Sequence, residues 1–384
     1  MRERVQIVMK IISFYLPQFH QTEENSMWWG EGHTEWTLVN EAKPLFDGHT
    51  PLSPPLNEYD LTDVDALKWQ AKLAKEYGIY GFCIYHYWFE GKKLLHKPLE
   101  LLLEHTEIDM PFCLCWANES WTDTWRNPNP QILLEQTYGN QAQWKEHFEY
   151  LKNYFFDKRY IKIDGKPLLV IYRPSSIPNL EELLTYWRSL ALECGIGEIS
   201  IAFYHCEYYF DKNKNMKLFD YQIEHQPTLS KDLYDTKYFK RRIQVLKELD
   251  KTHFFKRIGV KRPLIIRDYD VAWKHILNTP PLSSEKSIPG SFINWDNTAR
   301  YGRRGDFYLG FSPDKFEKYF YQQLKHAKEE FSTDYIFLFA WNEWSEGGYL
   351  EPDIKDGYKR LQAVKNALDK FKRVYQQPEN KKPS

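Results

Sequence analysis

Two glutamates stand three residues apart near the end of the chain. Glu343 and Glu346 lie in the segment WNEWSEGG (341–348), which directly follows an apolar run at residues 335–340. Two carboxyl groups in one partly apolar site acquire different pKa values, so that one keeps its proton while the other is charged. Cleavage of a glycosidic bond uses such a pair, with an acid for the leaving oxygen and a carboxylate as base or nucleophile. The alternative is a solvated acidic turn, which the apolar strand before it disfavours.

Aromatic and polar side chains cluster in three other segments, YHYWF (85–89), WANESW (116–121) and WWGEGHTEW (28–36). Sugar rings offer apolar faces to aromatic rings and hydroxyl groups to Asn, Glu and His. The third cluster fits equally well as an aromatic plug that packs on top of the fold. From these segments and the glutamate motif we predict the following substrate-binding residues: Trp341, Asn342, Trp344, His86, Tyr87, Trp88, Trp116, Asn118, Glu119, Trp121, Glu35 and Trp36.

The residue pattern does not indicate a metal or cofactor site. The histidines are scattered, with no H-E-x-x-H or C-x-x-C pattern. Asp268 and Asp270 match the D-x-D that nucleotide-sugar transferases use to hold a metal, but so short a pattern arises by chance. We therefore predict neither a metal nor a cofactor.

Short apolar runs alternate with helical patterns along the whole chain, which is typical of βα units in a parallel sheet. Eight strands are predicted, at residues 11–15, 81–85, 112–116, 168–172, 199–204, 221–223, 264–266 and 335–340. Helices are predicted at residues 64–77, 141–156, 180–194, 315–330 and 357–374. The α/β class with eight units predicts a (β/α)8 TIM barrel with long loops on its C-terminal face. A doubly wound sheet is the alternative, but no glycine-rich phosphate loop supports it.

Length and composition set the remaining expectations. The chain has 384 residues, 42% of them hydrophobic, and a formal net charge of -1, which disfavours nucleic acid as a partner. We predict one catalytic domain at residues 1–375, a flexible C-terminal tail at 376–384 and no membrane span. The oligomeric state stays open. The odd number of cysteines indicates free thiols, and the absence of a signal-peptide pattern favours the cytoplasm.

Motifs along almost the whole chain resemble one family. They are YLPQFH (15–20), WWG (28–30), TEW (34–36), PLF (44–46), GH (48–49), YGI (77–79), GF (81–82), HYWF (86–89), FCLCWANE (112–119), DGKP (164–167), WNEW (341–344) and EG (346–347). The chain resembles the WbsX family of polysaccharide-biosynthesis proteins, which is itself similar to glycoside hydrolase family 99. The resemblance implies a (β/α)8 barrel with a glycan site at its C-terminal mouth.

Family 99 cleaves α-mannosides with retention, and the resemblance carries its two catalytic glutamates to this chain. It implies that Glu346 acts as general acid and then base. It implies that Glu343 assists the substrate's own 2-hydroxyl group in displacing the leaving group through a 1,2-anhydro sugar. The chain departs from the family at Asp123, an acid where a basic residue is common, which disfavours an anionic sugar if this position touches the substrate.

Three functions remain open at this point. The first is a retaining, endo-acting enzyme of the family 99 type that acts on a polysaccharide or oligosaccharide. The second is a glycosyltransferase in the biosynthesis of O-antigen, the polysaccharide of lipopolysaccharide, which the WbsX name and a cytoplasmic location favour. The third is a glycan-binding module with a vestigial catalytic pair, which the presence of both glutamates disfavours.

Overall fold

The computed structural model describes residues 9–205 and 216–375. The predicted tail at 376–384 and Cys206 lie outside the described residues. The strands are β1 (Lys10–Tyr15), β2 (Gly81–Phe89), β3 (Lys92–Leu94), β4 (Phe112–Trp116), β5 (Trp121–Thr122), β6 (Ile132–Leu134), β7 (Lys162–Ile163), β8 (Lys166–Ile171), β9 (Ser200–Tyr204), β10 (Tyr221–Glu224), β11 (Ile265–Asp268), β12 (Ser287–Phe292), β13 (Asp306–Leu309), β14 (Tyr335–Phe339), β15 (Asn342–Glu343) and β16 (Gly348–Tyr349).

The α-helices of the described residues span Glu23–Trp29, Glu35–Glu41, Val64–Glu76, Lys97–Glu104, Gln141–Phe155, Leu180–Glu193, Thr228–Tyr234, Lys237–Lys251, Phe254–Arg257, Tyr269–Asn278, Thr298–Tyr301, Pro313–Glu329 and Lys359–Tyr375. Single 3-10 turns span Pro174–Ser176, Met216–Leu218, Gly302–Arg304 and Trp344–Glu346. All five helices predicted from the sequence are confirmed, with ends that differ by at most two residues. Within the described ranges, none of the helices combines the length and the apolar composition needed to cross a membrane.

Eight parallel strands form a closed barrel. Their order around the barrel is β1, β2, β4, β8, β9, β10, β12 and β14, and β14 pairs with β1 to close the ring. Strands covered on both faces are apolar at nearly every position, and β4 is buried along its whole length. The predicted (β/α)8 barrel is therefore confirmed.

The predicted seventh strand is wrong. Residues 264–266 overlap β11, which pairs with β13 in a two-stranded sheet outside the barrel. The seventh barrel strand is β12, whose sequence SIPGSF contains Pro289 and Gly290, residues that weaken a strand pattern. Gly290 is needed because a Cβ atom there would lie 2.1 Å from the carbonyl oxygen of Glu224 on the neighbouring strand. The close approach of the two backbones thus explains why a glycine, which weakens the strand pattern, stands in β12.

The long segment between β1 and the Val64–Glu76 helix lies over the C-terminal end of the barrel, where the sequence predicted long loops. It contains two seven-residue helices, Glu23–Trp29 and Glu35–Glu41. Trp36 is buried there, with its ring centroid 4.6 Å from that of Phe19 and 5.6 Å from that of Trp344. This packing holds the first loop against the loop that follows β14.

Candidate active site

The two glutamates of the WNEWSEGG motif follow the last barrel strand. Glu343 lies in β15, which pairs antiparallel with β16, and Glu346 ends the 3-10 turn Trp344–Glu346. Gly347 has a φ of +69°, and a Cβ atom on it would lie 2.8 Å from the backbone nitrogen of Asp296. A glycine is therefore required after Glu346, because the chain turns back here against the loop that follows β12. This turn directs both carboxyl groups into the mouth of the barrel.

Arg300 joins three carboxylates at the base of the mouth. Its Nη1 lies 2.8 Å from Oε1 of Glu346, and its Nη2 lies 2.9 Å from Oε1 of Glu35 and 3.6 Å from Oε2 of Glu343. Ser345 also donates a hydrogen bond to Oε1 of Glu35. Three acidic side chains from two distant segments thus surround a single guanidinium.

The surroundings raise the pKa of both motif glutamates, and that of Glu343 is raised more. Burial, reinforced by Glu346, raises the pKa of Glu343 well above its ordinary value, and Arg300 opposes the shift. Burial also raises the pKa of Glu346, with Arg300 as the main opposing influence. Oε2 of Glu343 is buried and has no hydrogen-bond partner among the described residues. In the free protein Glu343 therefore keeps its proton more readily, whereas Glu346 is held nearer to its charged form by the ion pair.

A cleft of about 300 Å³ lies above these groups, and aromatic rings form a large part of its wall. The residues of the cleft that carry rings are Trp29, Tyr85, Tyr87, Trp121, Trp125, Tyr172, Tyr204, His225, Trp295, Tyr301 and Phe339. Burial lowers the pKa of His225 well below its ordinary value, so its ring is neutral, and its Nε2 has no hydrogen-bond partner in the described part of the chain. Apolar ring faces beside unpaired polar atoms are the composition of a small-molecule site.

Six residues predicted from the sequence line this cleft, namely Glu343, Glu346, Glu35, Tyr87, Glu119 and Trp121. The other predicted residues lie away from it, namely Trp341, Asn342, Trp344, His86, Trp88, Trp116, Asn118 and Trp36, and each is buried in packing. The strand period explains part of this division. Successive side chains of β2 point to opposite faces, so Tyr85 and Tyr87 enter the cleft while His86 and Trp88 contact His147 of the outer helix Gln141–Phe155.

Two of the buried polar residues connect neighbouring loops at the barrel rim. The Asn342 side chain accepts a hydrogen bond from the Leu16 nitrogen at 2.8 Å and donates one to the Leu16 carbonyl at 2.9 Å. Asn118 repeats this arrangement with the backbone nitrogen and carbonyl of Arg173, at 2.7 Å each. Each amide therefore continues the pairing of two adjacent strands into the loops that follow them.

Asp123 does not line the cleft. Its carboxylate accepts hydrogen bonds from Asn127 and from the backbone nitrogen of Gln131, so it shapes its own loop. The expectation that an acid at this position disfavours an anionic sugar therefore loses its basis.

Several cleft residues were absent from the sequence prediction. Tyr172 and Tyr204 follow or end two barrel strands, so the rule that strand ends face the mouth could have found them. Arg300 and Trp295 follow β12, the strand that the sequence concealed. Without that strand nothing in the sequence assigns the loop after it to the mouth of the barrel.

Comparisons with known proteins agree with this architecture. In fold, the chain is similar to the GH99 endo-α-mannosidase from Bacteroides thetaiotaomicron, with a TM-score of 0.53 and 15% identity over 95% of this chain and 98% of that one. It is also similar to a glycoside hydrolase-like protein, with a TM-score of 0.57 and 11% identity over 94% of each chain. These likenesses are at the level of the fold.

In sequence, the chain is 32% identical over 369 residues to the uncharacterized protein WxcX of Xanthomonas campestris pv. campestris, covering 93% of this chain and 49% of that protein. The WxcX of a second strain, B100, is 33% identical over the same shares. The chain thus spans about half the length of these relatives. The family model described as Glycosyltransferase WbsX matches residues 11–364. With nearly the whole of its barrel inside that match, the chain belongs to the WbsX glycosyltransferase family.

Proposed function

We propose that this chain is a glycoside-active enzyme that acts at a glycosidic bond with retention of configuration, using Glu343 and Glu346 as its catalytic pair. The observation that carries the proposal is the cluster of three carboxylates around Arg300 at the base of an aromatic cleft. The position of this cluster at the C-terminal mouth of a (β/α)8 barrel supports it, because active sites of this fold lie there.

The chemistry needs one protonated and one charged carboxyl group. The acid gives its proton to the glycosidic oxygen as the bond from that oxygen to C1 breaks. The second carboxylate takes the proton of the 2-hydroxyl group, whose oxygen closes on C1 from the opposite face. Water or an acceptor hydroxyl group then attacks C1 and opens this 1,2-anhydro ring. The carboxylate left by the acid takes the proton of the attacking group, and the protonated base returns its proton to the 2-oxygen. The unequal surroundings of Glu343 and Glu346 supply the required difference in protonation.

Two assignments of the proton fit this pair. The family 99 resemblance makes Glu346 the acid, whereas the ion pair with Arg300 favours a charged Glu346 and a protonated Glu343 in the free protein. Under the first assignment, an arriving substrate must draw Arg300 away from Glu346. Under the second, Arg300 stays in place and stabilises the base.

Substrates with different leaving groups separate these assignments. The fluoride ion of a glycosyl fluoride departs without protonation. The variant that lacks the acid should therefore turn over a glycosyl fluoride while losing its activity on natural glycans. The variant that lacks the base should lose its activity on both substrates. Of Glu343→Gln and Glu346→Gln, we expect one to keep its activity on the glycosyl fluoride and the other to lose it. Both should lose at least about 100-fold in activity on natural glycans. Glu330→Gln, an exposed change on the outer surface, is the matched control, and full activity of both cleft variants would refute the proposal.

A glycosyltransferase of the WbsX type is the second candidate, and the family match is the observation that favours it. Incubation in heavy-oxygen water with mannans and bacterial surface polysaccharides, with and without nucleotide sugars, distinguishes the two reactions. Heavy oxygen at a new reducing end would establish hydrolysis. Unlabelled, lengthened glycans that appear only with a nucleotide sugar would establish transfer.

A further inference from the structure

A second and larger cavity opens beside the cleft. Its volume is about 770 Å³, within the size range of small-molecule sites. Thr124 and Tyr301 line both spaces, which places the cavity directly beside the cleft. Trp295 separates them elsewhere, with one face in the cleft and the ammonium group of Lys231 lying 4.0 Å from its ring centroid.

One wall of this cavity is the Lys237–Lys251 helix. Lys240, Gln244, Lys247 and Lys251 line the cavity and recur at intervals of three or four residues, which places them on one face of the helix. Outside this helix the cavity is lined by Arg262, Arg267, Arg304 and Lys231. The acidic residues of the whole lining are Asp232, Asp235, Asp250 and Asp306. Among the described residues, the lining therefore has seven cations and four carboxylates. We call it the basic cavity.

Ion pairs within the wall use some of these charges. Arg267 lies 2.7 Å from Asp235 and 2.6 Å from Asp306, and Arg262 lies 2.7 Å from Asp250. These pairs are largely buried and hold the wall rather than offer charge to a ligand.

Arg304 is in a different position. It donates a hydrogen bond to the carbonyl of Trp125, and it forms no ion pair with any carboxylate of residues 9–205 and 216–375. Burial lowers its pKa. The charge of Asp250 partly opposes this shift, but Arg304 has no carboxylate in direct contact among the described residues, so an anion in the cavity would offset the remaining desolvation cost. Lys247, on the facing helix, likewise has no ion pair within the described ranges.

We propose that the basic cavity is a subsite for an anionic group, a phosphate or a carboxylate, carried by the sugar substrate whose reacting bond lies in the cleft. This inference rests on the proposed function, since it assumes a sugar in the cleft. Two sources present this chemistry, the diphosphate of an activated sugar and the carboxylate of an acidic sugar unit. Arg304 and Lys247 contact the anion, and the paired arginines keep the cavity in shape.

Calorimetry on the 384-residue chain tests this without any turnover. The probes are inorganic pyrophosphate, uridine diphosphate, trigalacturonate and neutral mannotriose. We expect anionic probes to bind, to weaken as salt concentration rises, and to lose at least about tenfold in affinity in Arg304→Met and further in its combination with Lys247→Gln. Binding of the phosphate compounds points to an activated sugar, and binding of trigalacturonate alone points to an acidic glycan.

The control is Lys325→Gln, a partly exposed lysine on the Pro313–Glu329 helix that does not line the basic cavity, and it should leave affinity unchanged. Absence of binding by all three anions, or equal binding by the wild type and Arg304→Met, would overturn the subsite. The Glu346→Gln variant separates this inference from the proposed function. It should lose turnover and keep anion binding, because Glu346 lies outside the basic cavity.

Discussion

Arg300 is the residue on which the electrostatics of the site depend. Its positive charge opposes the burial that raises the pKa of both Glu343 and Glu346. In Arg300→Met this opposition disappears, so both pKa values rise further. We expect the bell-shaped profile of kcat/KM against pH to move to higher pH by about one unit, with the largest loss of activity on its acidic side.

Arg300→Lys is the comparison, because it keeps the positive charge and loses the forked contact with two carboxylates. Its profile should lie between those of the wild type and Arg300→Met. Circular dichroism checks the fold of each variant, since Glu35 is fully buried and loses its cation when Arg300 is removed. A profile unchanged in Arg300→Met would show that the arginine does not act on the pair.

For single residues, the sequence predicts which side-chain types belong to the site but not the direction in which each side chain points. Glu343, Glu346 and Glu35 stand out because carboxyl groups beside tryptophans suggest chemistry, and the structure brings them together. His86 and Trp88 carry equally suggestive side chains yet face the outer helices, since the strand places alternate residues on opposite sides. Arg300 has no such local signal, because its role arises only from the fold around it.

Among the elements, β12 shows how a backbone contact selects a residue. In Gly290→Ala the new methyl group would lie 2.1 Å from the carbonyl oxygen of Glu224, so β10 and β12 must separate. We expect destabilisation of about 3 kcal/mol or more in urea unfolding. Ser291→Ala on the same strand removes only a 3.3 Å hydrogen bond to Phe337 and should cost about 1 kcal/mol. Equal stability of the two variants would contradict this reading of the strand.

The same contact limits what pattern analysis can find. Seven barrel strands and five helices follow from apolar runs and helical periodicity, since these reflect burial. β12 does not, because the close approach of β10 requires Gly290, and Pro289 weakens the strand pattern further. β11 was predicted in its place because a short apolar run is equally expected of a strand in a small outer sheet.

For the whole molecule, the last helix completes the outer layer. Lys359–Tyr375 packs against Pro313–Glu329, and it buries Leu361, Val364, Leu368 and Phe371. Truncation after residue 358 should therefore give an unfolded or aggregated product, as exposed apolar area of this size is not tolerated in a soluble domain. Truncation after Tyr375 tests the predicted boundary at 375 and should leave the Tm within about 2 °C of the full chain. A large loss of Tm on removing residues 376–384 would contradict that boundary.

The amide links at the rim have a consequence for how such a site can change. Because Asn342 links the loop after β14 to the loop after β1, and Asn118 links the loop after β4 to that after β8, these four loops are held together in pairs. One pair carries the acids and the other carries the cleft residues Glu119 and Trp121. A graft that exchanges one loop alone would break its link, whereas a graft of both partners would keep the link and move their cleft residues together. A new specificity of this cleft should therefore be built by exchanging linked loops in pairs.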